Sequence, residues 1–324
     1  MKVIGIDIGG ANTKLASSDG SIIELHYIPL WKDTRLPTAL KEAADRLQPD
    51  KLGVAMTGEL ADCFFDKEEG IRFIMDAVEN AFGCEIKYVN NEGEFNTSHD
   101  DIQNLAAANW AASANLIGSE VGDCVFVDVG STTSDIIPVI DGKHRAGYTD
   151  FSRLLRSELV YAGTLRTNIA TLLDSVKVSG GTCRLSSELF ATTADAYLLL
   201  GDITQQIYTC ETADGAGNMK NDAMRRIGRV VCADLTEIQL EDITRIAKQV
   251  KDKQVSLLCD AISDVAGKHG LNTIAAAGIG EFMIKDAAKR LGFELISVSE
   301  KWGSEISKVF PAYAAARMFE RVDQ

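Results

Sequence analysis

The stretch Val3–Ser17, "VIGIDIGGANTKLAS", decides how the rest of the chain is read. An apolar run ends around Asp7, Gly9 and Gly10 follow, and apolar residues resume at Leu15 after Asn12, Thr13 and Lys14. The pattern is strand, tight turn, strand. Glycine at such a turn lets backbone N–H groups approach an anion without a Cβ in the way, and adjacent amides form a nest for phosphate oxygens. The same element returns at Asp123–Ile140, "DCVFVDVGSTTSDIIPVI". Setting Asp7 on Asp128 aligns Gly9 with Gly130, Thr13 with Ser134 and Leu15 with Ile136. A single Gly-rich hairpin often does no more than turn the chain, whereas a pair built alike points to two related lobes facing one another.

The surrounding pattern agrees with that reading. A strand is expected at "KLGVAMT" between helices at "LPTALKEAADRLQ" and "EEGIRFIMDAVENAF", then a strand at "EIKYVN" and a small-residue helix at "DIQNLAAANWAASANLI". A long amphipathic segment covers Leu240 to His269, and Pro311 interrupts the last helix or starts its later portion. The expected fold class is α/β, with two lobes of mixed sheet flanked by helices and a cleft between them. A chain of 324 residues is long enough for two lobes. Lobe I is expected over residues 1–116, with about 304–324 packing back onto it. Lobe II covers 117–303, with an elaboration at about 142–235 in which "VSGGTCRLSS" and "TADGAGNMKND" read as Gly-rich connections.

Composition narrows the partners. With 33 Lys and Arg against 47 Asp and Glu, the formal charge is -14, and no basic run is present. That argues against nucleic acid and anionic membrane surfaces, which need clustered cations. A phosphorylated small molecule is the expected partner, its charge met locally by backbone N–H groups, a metal ion and a few cations; homo-oligomerisation is left open. The seven scattered cysteines include no CxxC pair and read as reduced thiols. No stretch approaches the roughly 20 apolar residues of a membrane span. The "MKVIGIDIGG" start reads as a strand, so a cytoplasmic location is expected.

The candidate site follows from the two turns. Gly9, Gly10, Ala11, Asn12, Thr13 and Lys14 form one phosphate-binding group; Gly130, Ser131, Thr132 and Thr133 form the other. A carboxylate does not bind phosphate favourably but holds Mg²⁺, which commonly joins one or two carboxylates to phosphate oxygens. Asp7, Asp128 and Asp135 are the candidate ligands. A Walker loop is excluded because no GxxxxGK[ST] occurs. Thr57 and Glu59, in "MTGEL", end a strand and are expected to line the cleft. In "YVNNEGEF", Asn91 and Glu92 are expected at the end of the sheet, where ligands collect in such folds. Glu92 is the candidate general base, Glu94 its alternative, and a plain loop or capping carboxylate the competing explanation. In "VYAGTLRTN", Arg166 and Thr167, with Tyr161, form a candidate anion or substrate clamp. In "AAAGIGEF", Gly278 and Gly280 permit close approach to a flat ring or phosphate, although tight strand-to-helix packing explains them as well.

Two Asp-Gly turns, an intervening Asn/acid loop and a later small-residue glycine motif, in this order across essentially the whole chain, resemble the actin-like ATPase superfamily with its ribonuclease H-like lobes. "DVGSTTSDI" and "MTGEL" look like its hydantoinase/oxoprolinase branch. "IGIDIGGANTK", "VNNEGEF" and "VYAGTLRTN" resemble more narrowly the proteins linked to tetrahydromethanopterin one-carbon metabolism, which include the methanofuran-biosynthesis synthase. That resemblance implies a transferase joining an aminomethylfuran diphosphate to the phenol of γ-glutamyltyramine, with Mg²⁺ as cofactor, an ether as product and pyrophosphate as leaving group. It also implies catalytic roles for Asp7, Asp135 and Glu92, the last standing where sugar kinases carry Asn-Asp. Departures at Ala277 and Ile279 from the adenosine motif favour a substrate without adenosine. The alternatives are an ATP-dependent small-molecule kinase or hydantoinase/oxoprolinase-type ATPase, and a non-catalytic nucleotide-controlled sensor.

Overall fold

Six of the seven residues of β1 (Val3–Gly9) are buried, as its unbroken apolar run requires of a central strand. A computed structural model of the chain describes residues 1–32, 35–96 and 102–322. β1 turns into antiparallel β2 (Asn12–Ser17), followed by β3 (Ile23–Tyr27). α1 (Leu36–Leu47), β4 (Lys51–Thr57), α2 (Lys67–Ala81), β5 (Glu85–Val89) and β6 (Phe95–Asn96) follow. The first sheet has the order β3-β2-β1-β4-β5-β6.

A 3₁₀ turn (Gln103–Leu105) and α3 (Asn109–Glu120) lead to β7 (Cys124–Val129), β8 (Ser134–Ile140) and β9 (Lys143–His144). Then come α4 (Asp150–Leu155), β10 (Leu159–Val160), α5 (Ile169–Leu172), the hairpin β11 (Ser175–Val178) and β12 (Gly181–Arg184), α6 (Thr193–Leu200), α7 (Lys220–Arg229) and α8 (Leu240–His269). β13 (Thr273–Ala277), α9 (Glu281–Leu291), β14 (Glu294–Ser297), α10 (Val298–Trp302), α11 (Ser304–Lys308) and α12 (Phe310–Arg321) complete the order. The second sheet runs β10-β8-β7-β13-β14, with β9 beside β8.

The repeat is exact in register. Asp7 faces Lys14 and Ile8 faces Thr13 in the first hairpin; Asp128 faces Asp135 and Val129 faces Ser134 in the second. It also extends to a third strand in each sheet: parallel β4 sets Ala55 beside Asp7, and parallel β13 sets Ala277 beside Asp128. Carried past the strand ends, this register matches Gly58-Glu59-Leu60 with Gly280-Glu281-Phe282.

The C-terminal helix returns to the first sheet. A Cβ on Gly5 would stand 1.8 Å from the Ala312 carbonyl oxygen, and one on Gly53 2.7 Å from that of Ala315, so α12 rides directly on β1 and β4. Phe310 and Phe319 are buried there, each contributing roughly 2–3 kcal/mol. Pro311 lies in the first turn of α12, where its missing donor costs nothing.

Two segments differ from the sequence expectation. The small-residue helix begins only at Asn109, because the chain passes through the 3₁₀ turn and then Ala107 at φ +51°; Asp101, where that helix was expected to start, lies outside the described residues, as do 323 and 324 at the end of the last one. "VSGGTCRLSS" is the β11–β12 hairpin and not a connection. Between α5 and α8 a separate core forms around Ile169, Val176, Ile227, Ile243 and Val250. Above it Arg226, fully buried, pairs with Asp195 at 2.7 Å and with Asp214 at 3.0 Å. Among the described residues no helix is long and apolar enough to cross a membrane.

Candidate functional site

Both turns open onto one cavity of about 370 Å³. Gly9, Gly10, Ala11 and Asn12 form one wall, and Gly130, Ser131, Thr132 and Thr133 the other. The turns touch: Asn12 Nδ2 donates to Ser131 Oγ at 3.1 Å. A second cavity of about 490 Å³ shares Asn12, Lys14, Asp128, Gly130 and Ser131 and extends to Leu25, Ile279 and Lys308. The paired turns therefore stand where two cavities meet. Thr13 faces away, buried behind its turn, and borders neither.

Charge is concentrated at the floor. Lys14 Nζ lies 2.9 Å from Asp7 Oδ2, and Asn109 Nδ2 approaches the same oxygen at 3.4 Å. Burial disfavours the Lys14 charge, but Asp7, Asp128 and Asp135 outweigh it and raise its pKa. Burial also pushes the Asp128 carboxyl up to about 7, against the attraction of Lys14 and with the help of Asp135 and Asp7. Asp135 is raised by burial in spite of Arg153, which pairs with it at 2.5 Å and with Asp150 at 2.7 Å while lying 4.7 Å over the Trp110 ring.

At the mouth, Arg166 lies 4.4 Å over Trp31 and donates to Thr132 Oγ1 at 3.2 Å. This joins the two lobes through a cation–π contact. The loop that carries Arg166 is fixed on the second turn by Thr164 N–H donating to the Gly130 carbonyl and Leu165 N–H to that of Ser131.

The acid set suits a magnesium ion bound together with phosphate. Asp7 Oδ1 is buried with no hydrogen-bond partner among the described residues. No group of three or more His, Cys, Asp or Glu arranged as metal ligands occurs among them. Two carboxylates completed by phosphate oxygens and water is how Mg²⁺ is usually held, unlike a metal caged by protein alone. Asp7 pairs with Lys14 through Oδ2 but keeps Oδ1 without a partner, and Asp128 has no ion pair among the described residues, which makes these two better placed as ligands than Asp135, held by Arg153.

The remaining candidates separate clearly. Thr57 and Glu59 line the first cavity. Glu59 is 1% exposed, and burial pushes its carboxyl up to about 7. Gly278 lines the second cavity with φ +92°, and a Cβ there would stand 2.3 Å from Asp128 Oδ1. Gly280 is a packing residue whose N–H donates to the Val129 carbonyl. Thr167 braces its own loop, accepting from Gly163 N–H at 2.9 Å.

Asn91 and Glu92 border neither cavity. β5 reverses into β6 at the sheet edge and carries the loop outward, so Glu92 is exposed and Asn91 Nδ2 donates to the Tyr148 carbonyl at 3.3 Å. The general-base expectation for Glu92 therefore fails on position. Trp31, Asn109, Asp150 and Arg153 also line the first cavity and carry no motif that marks them in the sequence.

A cleft between two lobes, each offering the same strand-turn-strand to a shared cavity, is the architecture of the actin-like ATPases. A nucleotide-free acetone carboxylase structure matches 97% of this chain and 70% of its own with a TM-score of 0.57, at 10% identity, a likeness of fold alone. The hydantoinase/oxoprolinase family model matches residues 50–322. A curated relative from Methanocaldococcus jannaschii, (4-{4-[2-(gamma-L-glutamylamino)ethyl]phenoxymethyl}furan-2-yl)methanamine synthase, is 38% identical over 98% of both chains. A synthase of the same name from Methanococcus vannielii is 36% identical over 60% of this chain and 89% of its own. The chain belongs to the hydantoinase/oxoprolinase family and, within it, to the family of this methanofuran-biosynthesis synthase, a family of enzymes.

Proposed function

We propose that the protein condenses (5-(aminomethyl)furan-3-yl)methyl diphosphate with the phenol of γ-glutamyltyramine, forming the aryl ether and releasing pyrophosphate. The observation that carries this reading is the meeting of the two turns over one cavity, Asn12 against Ser131, with Lys14 at the floor and Arg166 at the mouth. Such a seat holds a diphosphate from both ends. Its backbone amides and cations stabilise negative charge as it develops on the leaving oxygen, with no phosphoryl group transferred. Lys14 is held charged by its three acidic neighbours. Arg166, held over the Trp31 ring, would supply a guanidinium fork for the anion. Asp7 and Asp128 would hold Mg²⁺, which when bound neutralises the diphosphate and so improves it as a leaving group. The names of the relatives support the substrate pair, since they describe a phenoxymethyl-furan carrying a γ-glutamylaminoethyl arm.

A second reading, an ATP-dependent kinase or hydantoinase-type ATPase, is favoured by the second cavity, which extends past Gly278 as a nucleoside bound to the same seat would. Incubation of the protein with the furan diphosphate, γ-glutamyltyramine and Mg²⁺, with and without ATP, separates the two. Ether and pyrophosphate in equal amounts without ATP support the synthase. Product only with ATP, accompanied by ATP hydrolysis, supports the second reading.

A further inference from the structure

We propose that Glu59 is the general base that takes the phenol proton as the ether bond forms, an assignment that rests on the synthase reading above. Glu59 follows Gly58, on which a Cβ would stand 3.1 Å from the Gly9 carbonyl carbon and 3.2 Å from Gly10 N, and Glu59 lines the same cavity beside the first turn. One carboxylate oxygen, Oε2, is buried with no hydrogen-bond partner among the described residues. α2 clasps the Glu59 backbone: a Cβ on Gly70 would lie 2.1 Å from the Glu59 carbonyl oxygen. The Glu59 backbone is thus fixed by α2 while a buried carboxylate oxygen is left without a donor.

The internal repeat supplies a control. Glu281 occupies the corresponding place in the second lobe, and its carboxylate is fully engaged. It accepts hydroxyl hydrogen bonds from Ser297, from Ser299 at 2.8 Å and from Ser307 at 3.0 Å, with Lys285 3.7 Å away. Glu281 holds structure together. Glu59 keeps the same position with no donor to Oε2 among the described residues, and a buried acceptor with no donor is costly unless a ligand brings one. A phenol O–H is such a donor. The charged groups acting on Glu59 are Asp150, which raises its pKa, and Lys67, which lowers it, and both are outweighed by burial, which places the carboxyl at about 7. At neutral pH a substantial fraction is then ionised and basic enough to accept a proton.

In the step, the phenol proton passes to Glu59 Oε2 and the phenol oxygen pair forms the bond to the furan methylene carbon. The bond from that carbon to the diphosphate oxygen breaks, and its electron pair leaves with the diphosphate. Glu59 returns the proton to water as product departs.

The test compares wild type, Glu59→Gln and Glu59→Asp in the full chain with Mg²⁺ and furan diphosphate. Two acceptors are used: γ-glutamyltyramine and its difluorinated-phenol analogue, which ionises near neutral pH. With the natural acceptor, Glu59→Gln is expected to lose about 10²–10⁴-fold in kcat. Glu59→Asp should fall between, and both variants should keep Mg²⁺-pyrophosphate affinity within about twofold. With the difluorinated acceptor the Gln defect should shrink about tenfold or more, because the proton is already gone. A Glu59→Gln enzyme within about threefold of wild type, or an equal defect with both acceptors, overturns the assignment. Failure of the wild type to form any ether overturns the synthase reading itself, and the two failures are distinguishable.

Discussion

Replacing Glu59 by Gln should stabilise the protein, and only above the pH at which the carboxyl would ionise in the unfolded chain. Burial raises the Glu59 carboxyl from 4.5 to about 7. The folded state therefore retains a proton that the unfolded state gives up between these values, and stability falls as pH rises through that window. Below pH 4.5 both states are neutral at this position and nothing is lost. Above about pH 7 the folded protein carries a buried charge, and the deficit levels off at roughly 3 kcal/mol. Gln keeps the shape of the neutral acid at every pH. Urea unfolding of the two proteins should give equal free energies near pH 4.5 and a gap of about 3 kcal/mol in favour of the variant at pH 8. In thermal melts this corresponds to about 4–5 °C for a chain of this length. Contributions from Asp128 and other titrating groups cancel in the comparison. A gap that does not change with pH, or a variant less stable at pH 8, would refute the claim that this carboxylate is buried at the expense of stability.

Three further outcomes follow from positions in the structure. Glu92→Gln should leave kcat within about twofold of wild type in the ether-forming assay, since the side chain is exposed and away from the cavity. Arg166→Ala removes the cation held between Trp31 and Thr132 and should weaken Mg²⁺-pyrophosphate binding about tenfold or more by calorimetry, as loss of a charge-assisted hydrogen bond does. Arg226→Met strands the fully buried Asp195 without its partner and should cost about 3–5 kcal/mol in urea unfolding while leaving pyrophosphate affinity unchanged.

The frame of the site was legible because it was written twice. Asp7 and Asp128 end strands whose turns carry glycine at the same offset, and no tertiary information was needed to expect two matching lobes. Thr57 and Glu59 were legible for a related reason, since the turn after a parallel strand opens at the end of the sheet. Glu92 was misread because that rule was extended to β5, which pairs antiparallel with β6 and folds its loop outward at the edge. Trp31 and Arg153 escaped notice because each reaches the cavity from an element whose local sequence says nothing of it. Arg153 is placed by its pairs to Asp135 and Asp150, contacts that exist only once the second lobe has folded. The correspondence of Glu59 with Glu281 needed strand register as well, because "MTGEL" and "GIGEF" share only Gly-Glu.

In the synthase reading, two turns from opposite lobes hold one diphosphate. Gly10 and Gly130 provide one probe on each turn, because a Cβ on Gly10 meets no atom of the described residues within 4 Å beyond its chain neighbours and one on Gly130 meets only the Thr133 carbonyl oxygen at 3.6 Å. Gly10→Ala and Gly130→Ala should therefore fold normally while placing a methyl group at the anion seat. Calorimetric titration with pyrophosphate in Mg²⁺ should show one anion per wild-type chain, with both variants weakened about fivefold or more at unchanged Tm. Two independent anions per chain, or full affinity in either variant, would show that the two turns do not share one diphosphate.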